Sequence, residues 1–125
     1  MAFYRVSDRK DLPDPARLVV PGELIKVGIV SLNQGDEPEP HFHPNEEQFV
    51  LILQGRLEML LGDETAEIGP GDMVHIPRNT MHGIKVLEGP MVWFNCKSPV
   101  GDGDLKQDYN EAPNSAEMKQ ILGRD

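Results

Sequence analysis

The strongest constraint on this chain is the density of its turn-forming residues. Twelve glycines and eleven prolines interrupt a sequence of 125 residues without any repeat period. Short apolar segments recur between them every 8 to 12 residues or so, which is typical of an antiparallel β-sandwich or barrel and not of a bundle of long helices. The predicted strands cover residues 24–32, 48–53, 56–61, 64–68, 73–76, 83–87 and 91–96.

The charge of the chain limits its partners. Acidic residues number 21 against 12 basic ones, which gives a formal net charge of −9 with histidine neutral. The sequence has no cluster of Lys or Arg that would offset this charge locally. Such a surface repels the phosphates of nucleic acid and the face of an anionic membrane, so we expect neither as a partner.

Two further features concern the compartment. Cys96 is the single cysteine, so an intrachain disulfide and any metal motif with two cysteines are excluded. The longest apolar run, residues 49–53, is far too short to span a membrane. The first ten residues mix charges and lack the apolar run of a signal peptide. We therefore expect a soluble, cytoplasmic protein.

The chain is predicted to form one domain over residues 1–125. The β-barrel core spans residues 24–96, and an N-terminal extension over residues 1–20 packs along the sheet or reaches a neighbouring subunit. Gly89-Pro90 is interpreted as a hairpin loop between the last two strands. The segment 99–125 is predicted to be a surface loop followed by a short helix near 115–122, where Asn114 and Glu117 have the spacing of a capping box.

Three of the four histidines are candidates for one metal site. His41 and His43 are two residues apart, so on an extended chain both imidazoles point to the same face, roughly 6.6 Å apart along the backbone. His82 occupies a similar position in a later segment, and Glu47 or Gln48 can supply an oxygen ligand from the start of the next strand. Three imidazoles and one oxygen donor leave coordination positions open for water or a substrate.

These residues fall in two motifs that resemble those of the cupins, a superfamily of small β-barrel proteins. The first cupin motif, G-x5-H-x-H-x3/4-E-x6-G, is matched by Gly35, His41, His43 and Gly55. The second, G-x5-P-x-G-x2-H-x3-N, is matched by Gly71, Pro77 and His82, with Asn79 and Val86 in place of its second Gly and its final Asn. The resemblance implies an all-β fold of the jelly-roll type, a double-stranded β-helix, with a divalent transition metal ion in the barrel.

The first motif departs from the family at its carboxylate position. Counting back from Gly55, Gln48 occupies that position, whereas Glu47 fits the distance from His43 but leaves one residue too many before Gly55. Alternation along the strand does not decide between them, because a bulge can turn either residue inward. We favour Gln48 and keep Glu47 as the alternative. A glutamine ligand is neutral, so a bound ion would retain its full positive charge.

The predicted metal ligands are His41, His43, Gln48 and His82. This set suits zinc, iron, nickel, manganese or copper. The resemblance implies a metal-dependent enzyme that acts on a small oxygenated molecule, as a sugar-acid isomerase or as a dioxygenase. The Gln-containing pattern is similar to that of cupins from pectin and alginate degradation. The alternative is a non-catalytic cupin that binds a sugar or another small molecule.

A uronate substrate would require a cationic anchor in the barrel. The candidates in the sequence are Lys26, Arg56, Arg78 and Lys85. His75 is interpreted as a barrel histidine that is hydrogen-bonded to a neighbour. Cupins commonly pair through sheet faces or exchange N-terminal strands, so the resemblance also implies a homodimer.

Overall fold

Strands dominate the secondary structure. The computed structural model describes residues 2–4 and 17–124. Within this part the chain forms eight strands and one short helix, and none of its helices is long and apolar enough to span a membrane. The elements are β1 (Arg17–Pro21), β2 (Lys26–Leu32), β3 (His41–Phe42), β4 (Glu47–Leu61), β5 (Glu64–Ile68), β6 (Met73–Ile76), β7 (His82–Ser98), β8 (Asn110–Glu111) and α1 (Ser115–Ile121).

Two long strands, β4 and β7, run through both layers of the fold. In the first layer, the first half of β4 pairs with β6 and with the second half of β7. In the second layer, the second half of β4 pairs with β5 and with the first half of β7. β1 and β2 extend the first layer, and β3 and β8 extend the second. The predicted all-β, jelly-roll fold with a short C-terminal helix is confirmed, although the described strands do not close into a complete ring.

β4 bends at Gly55, where the sequence predicts a bend. Gly55 has a φ of +85°, a left-handed conformation that glycine adopts without strain. A Cβ at this position would lie 2.7 Å from the Pro90 carbonyl oxygen, so a side chain does not fit. The pairing of β4 with β7 shifts its register between Ile52 and Leu57. This irregularity lets one strand leave the first layer and enter the second.

The hairpin predicted at Gly89-Pro90 is wrong. β7 continues through both residues as a single strand of 17 residues. Pro90 has no N–H to donate, but it lies opposite the part of β4 where the pairing already shifts between Gln54 and Arg56. The predicted strands 83–87 and 91–96 are therefore the two halves of one bent strand.

The apolar core fills the space between the two layers. Along the first half of β4, Val50 and Ile52 are buried while Phe49 and Leu53 are exposed, as alternation in a strand requires. The core contains residues from both layers: Val50, Ile52, Leu57, Met59, Ile76, Ile84, Val86 and Met91. Removal of these side chains from water holds the layers together.

The segments on either side of the predicted core also pair with the sheet. β1 lies within the predicted N-terminal extension and pairs with β2, whereas residues 5–16 of that extension lie outside the described residues. At the other end, α1 packs Met118 against Leu60 and Ala112. The predicted helix is present, but Asn114 makes no side-chain capping bond, so the capping-box interpretation is wrong.

Candidate metal centre

The three candidate histidines meet where β3 pairs with the start of β7. His41 on β3 lies directly opposite His82, the first residue of β7, and His43 immediately follows β3. The ring centroids are 4.4 Å apart for His41 and His82, 4.9 Å for His41 and His43, and 5.3 Å for His43 and His82. One ligand nitrogen from each ring lies within 4.8 Å of the others, so a single ion fits among them.

Each imidazole is oriented by a backbone carbonyl. The Nδ1 atoms of His41, His43 and His82 lie 2.7, 3.0 and 2.9 Å from the carbonyl oxygens of residues 39, 108 and 80. A carbonyl oxygen only accepts, so each Nδ1 donates its hydrogen, and Nε2 of the neutral ring keeps a free lone pair. This is the tautomer that a histidine needs to bind a metal through Nε2.

Burial keeps these rings uncharged. Desolvation lowers the pKa of His43 to about 4 and the pKa of His82 to about 3, and it also lowers the pKa of His41. The charge of Lys97 lowers the pKa of all three rings further. At neutral pH the three Nε2 atoms are therefore available as ligands without first losing a proton.

Gln48 is buried on the wall of the same cavity as the histidines. Its side chain donates from Nε2 to Asn95 Oδ1 over 2.7 Å. The Gln48 Oε1 atom is buried and has no hydrogen-bond partner among the described residues. A buried acceptor without a partner is rare and costs free energy. This oxygen therefore has the character expected of a fourth ligand.

Glu47 lies on the opposite face of β4. It is exposed, and its carboxylate accepts a hydrogen bond of 2.7 Å from His75 Nε2 on β6. His75 also stacks on Phe49, with ring centroids 4.5 Å apart. The hydrogen bond predicted for His75 is thus present, and both members of the pair lie on the outer surface of the first layer.

The donor set fits a divalent transition metal ion. Three neutral imidazole nitrogens lie together, and the same cavity is lined by a buried amide oxygen that has no hydrogen-bond partner in the described part of the chain. Nitrogen-rich sites of this kind suit zinc, iron, nickel, manganese and copper. The predicted cofactor is thus chemically compatible with the residues that the fold brings together.

A cavity of about 530 Å³ opens between the two layers beside the histidines. Its volume lies in the range of sites that bind small molecules. Most of the wall is apolar and comes from both layers: Val30, Leu32, Val50, Leu57, Met59, Ile76, Ile84 and Trp93. Such a wall keeps water away from a bound molecule and strengthens the few polar contacts inside.

Lys97 is a buried cation on this wall. Its Nζ donates to the backbone carbonyl of Leu105. Burial lowers the pKa of Lys97 to about 8, so the amine is still mostly protonated at pH 7. Lys97 is absent from the predicted anchors, because the end of β7 resembles the start of an exposed loop in the sequence.

None of the four predicted anchors lines the cavity. Lys26 is buried in an ion pair, and Arg56 forms an ion pair at the surface. Lys85 donates to a backbone carbonyl near the C-terminus, and Arg78 is exposed. The position of a cationic anchor was therefore predicted wrongly.

The loop that follows β7 contributes to the cavity mouth. Tyr109 stacks on His41 with ring centroids 4.3 Å apart, and its hydroxyl donates to the carbonyl oxygen of residue 39 over 3.0 Å. Leu105 and Lys106 from the same loop also line the cavity. The segment predicted as a surface loop thus helps to shape the candidate site.

Parts of this chain are similar in sequence to known proteins. The family profile for the cupin domain matches residues 28–96. Quercetin 2,3-dioxygenase of Bacillus subtilis (strain 168) is 31% identical over 65 residues, which are 52% of this chain and 19% of the relative. The polyketide synthase CurC of Streptomyces cyaneus is 32% identical over 56 residues, which are 45% of this chain and 36% of the relative. The chain thus spans well under half the length of these two curated relatives.

A solved structure is similar over a larger share of both chains. KdgF from Halomonas sp. has a TM-score of 0.68 and 25% sequence identity, and the match covers 79% of this chain and 94% of that chain. The cupin-domain profile covers more than half of the present sequence, including all four candidate ligand positions. This chain belongs to the cupin family.

Proposed function

We propose that this cupin is a metal-dependent enzyme that converts a small oxygenated molecule, in the manner of a sugar-acid isomerase. The observation that carries the proposal is the position of the candidate ligands: three neutral histidines and the unpartnered Gln48 oxygen line a cavity large enough for a small molecule. A purely structural site would gain nothing from open space beside its ligands.

The proposed ligands are Nε2 of His41, His43 and His82 together with Oε1 of Gln48. A divalent ion held there would supply Lewis-acid chemistry, by polarising a carbonyl or hydroxyl oxygen of the substrate. Because all four ligands are neutral, none of them reduces the charge available for this polarisation.

The chain's own residues orient and enclose this site. Asn95 Oδ1 accepts a hydrogen bond of 2.7 Å from Gln48 Nε2. This contact fixes the Gln48 amide and leaves its Oε1 atom free to bind an ion. The apolar walls keep water from the substrate. Tyr109 covers one side of His41, and burial raises the pKa of its phenol, so the hydroxyl keeps its proton at neutral pH and remains a donor.

Two observations favour the isomerase-like alternative over the dioxygenase-like one. The match to quercetin 2,3-dioxygenase covers only 19% of that relative. The glutamine in the carboxylate position also resembles the pattern of cupins from pectin and alginate degradation. The local identity of 31% to the dioxygenase keeps oxygen-dependent chemistry as the second candidate.

The test is turnover by metal-loaded protein with and without oxygen. We expect an unsaturated galacturonate to be converted at the same rate in air and under nitrogen, followed by loss of its ultraviolet absorbance and by NMR of the product. The His43→Ala variant should be inactive. Oxygen uptake with quercetin and no conversion of the uronate would favour the dioxygenase. Binding of small molecules without any turnover would favour the non-catalytic alternative.

We also propose that the chain forms a homodimer through the outer face of the first layer. Neighbouring strands expose large apolar side chains on this face: Phe49, Leu53, Met73 and Phe94. Exposed apolar clusters of this kind usually mark an interface. These four side chains are 36–66% exposed in the chain.

Light scattering at micromolar concentration should therefore give about twice the chain mass of 14.0 kDa. Phe94→Lys should reduce the mass to that of one chain, because a charge in an apolar interface is costly. Ile121→Lys is the matched control, since Ile121 is exposed on α1 and its change should leave the dimer intact. A monomeric wild-type chain would contradict the proposal.

A further inference from the structure

Three buried charges lie beneath the loop that follows β7. Lys26, Glu46 and Lys97 are exposed to solvent by 0%, 3% and 3%. The Lys26 Nζ atom lies 2.6 Å from Glu46 Oε2, so these two residues form a neutral pair. Lys97 is therefore left as a buried positive charge without a counterion of its own, which is unusual for a folded protein.

No acid is paired directly with Lys97 in the described part of the chain. Among the described residues no carboxylate lies within ion-pair distance of its Nζ, which donates to the neutral Leu105 carbonyl. Besides Glu46, the acids whose charges act on Lys97 are Asp104 and Asp108, and both belong to the loop. Their carboxylates accept hydrogen bonds from the backbone N–H groups of residues 106 and 45. Glu46 and these two loop acids act on Lys97 only through space, so its ammonium has no direct ionic partner to displace when an anion enters the cavity that it lines.

The proposed metal ligands bring no negative charge to this cavity. The three imidazoles and the Gln48 amide carry no charge, in contrast to a set that includes a glutamate. A divalent cation among them would lie in the same cavity as the Lys97 ammonium, in an environment where like charges repel strongly. An anion that contacts Lys97 would relieve this repulsion.

We infer that Lys97 anchors the carboxylate of a small acidic substrate, and that this carboxylate and the metal ion favour each other's binding. The second part rests on the proposed function, whereas the first depends only on Lys97 and the cavity. Because coupling between two bound species is reciprocal, a carboxylate that tightens metal binding is itself bound more tightly in the presence of the metal.

The experiment compares two sugars that differ only in the carboxylate. Galacturonate and galactose are titrated by calorimetry into metal-free protein and into protein loaded with Zn²⁺. Lys97→Met removes the charge and keeps an apolar side chain of similar length. Lys85→Met is the matched control, because Lys85 carries the same charge but lies outside the cavity. Lys97→Gln serves as a second variant if the methionine variant is unstable in a thermal melt.

Wild-type protein is expected to bind galacturonate and to bind galactose at least about tenfold more weakly, as the loss of a charge-assisted hydrogen bond requires. The Lys97 variants should lose this preference, and Lys85→Met should change it less than about twofold. Galacturonate should tighten Zn²⁺ binding by about fivefold or more in the wild type and not in the Lys97 variants.

Two results would overturn the inference. One is equal affinity of the wild type for galacturonate and galactose, and the other is an unchanged preference in the Lys97 variants. Failure of the proposed function has a different signature. In that case Zn²⁺ does not bind, while Lys97-dependent binding of galacturonate to the metal-free protein still supports the carboxylate site.

Discussion

Replacing His82 by alanine is expected to abolish stoichiometric metal binding. His82 would provide one of three nitrogen ligands, and its backbone is fixed opposite His41 by the pairing of β3 with β7. Loss of a group that only orients a ligand lowers metal affinity by about 10- to 100-fold, and loss of the ligand itself should exceed that range. Mass spectrometry of the metal content should find about one equivalent in the wild type and under a tenth in the variant.

His75→Ala is the matched control for this experiment. It removes the same side chain from the outer surface, where His75 contacts Glu47 and Phe49. Its metal content should equal that of the wild type. Equal metal content in His82→Ala and the wild type, or equal loss in both variants, would contradict the assignment of the centre.

Acidifying the metal-free protein from pH 7 to pH 5 is expected to lower the free energy of unfolding by about 3 kcal/mol. Unfolded histidines take up protons near pH 6.5, but the folded chain does not protonate His43 until about pH 4 and His82 until about pH 3. The unfolded state therefore binds more protons throughout this interval. Stability is fully present above pH 6.5 and is lost as the pH falls toward the lower pKa values.

Urea unfolding at a series of pH values measures this loss. The interval from pH 7 to pH 5 lies above the usual titration of most carboxyl groups, so histidines dominate the slope. A double variant, His43→Gln with His82→Gln, should show a much flatter profile than the wild type. A wild-type profile that is flat over this interval would contradict the assignment of neutral, buried imidazoles.

The histidine triad could be predicted because its positions follow from strand geometry. Residues two apart on an extended chain share a face. An extended segment at β3 therefore places His41 and His43 on the same side. His82 follows a proline that ends β6, and its motif spacing indicates the same site. The turn glycines, with Gly55 foremost, likewise indicate where the long strands bend.

The structure was needed to show which of Gln48 and Glu47 lines the cavity. One residue of register decides which side chain faces the cavity, and a bulge beside the motif could have reversed the answer. In the structure β4 shifts its register only after Ile52, so its first half alternates regularly and Gln48 lies inside. The position of this bulge along β4 cannot be read from any single residue of the sequence.

The burial of Lys97 and the continuation of β7 through Gly89-Pro90 could not be predicted from the sequence either. The burial of Lys97 depends on a loop that folds back over the end of β7, and a lysine in isolation is expected to be exposed. Gly89-Pro90 has the composition of a turn, yet it continues β7 because the partner strand is irregular at the same level. The first outcome depends on the path of the following loop, and the second depends on a partner strand that is distant in the sequence.

The orientation of the three imidazoles depends on main-chain oxygen atoms, and every amino acid provides one. The carbonyls of residues 39, 80 and 108 would make the same bonds with other side chains at those positions, provided that the backbone keeps its course. Distant relatives could thus inherit identical imidazole tautomers while sharing none of the neighbouring side chains. A comparison of aligned sequences would overlook this part of the inheritance, and only superposition of backbones would reveal it.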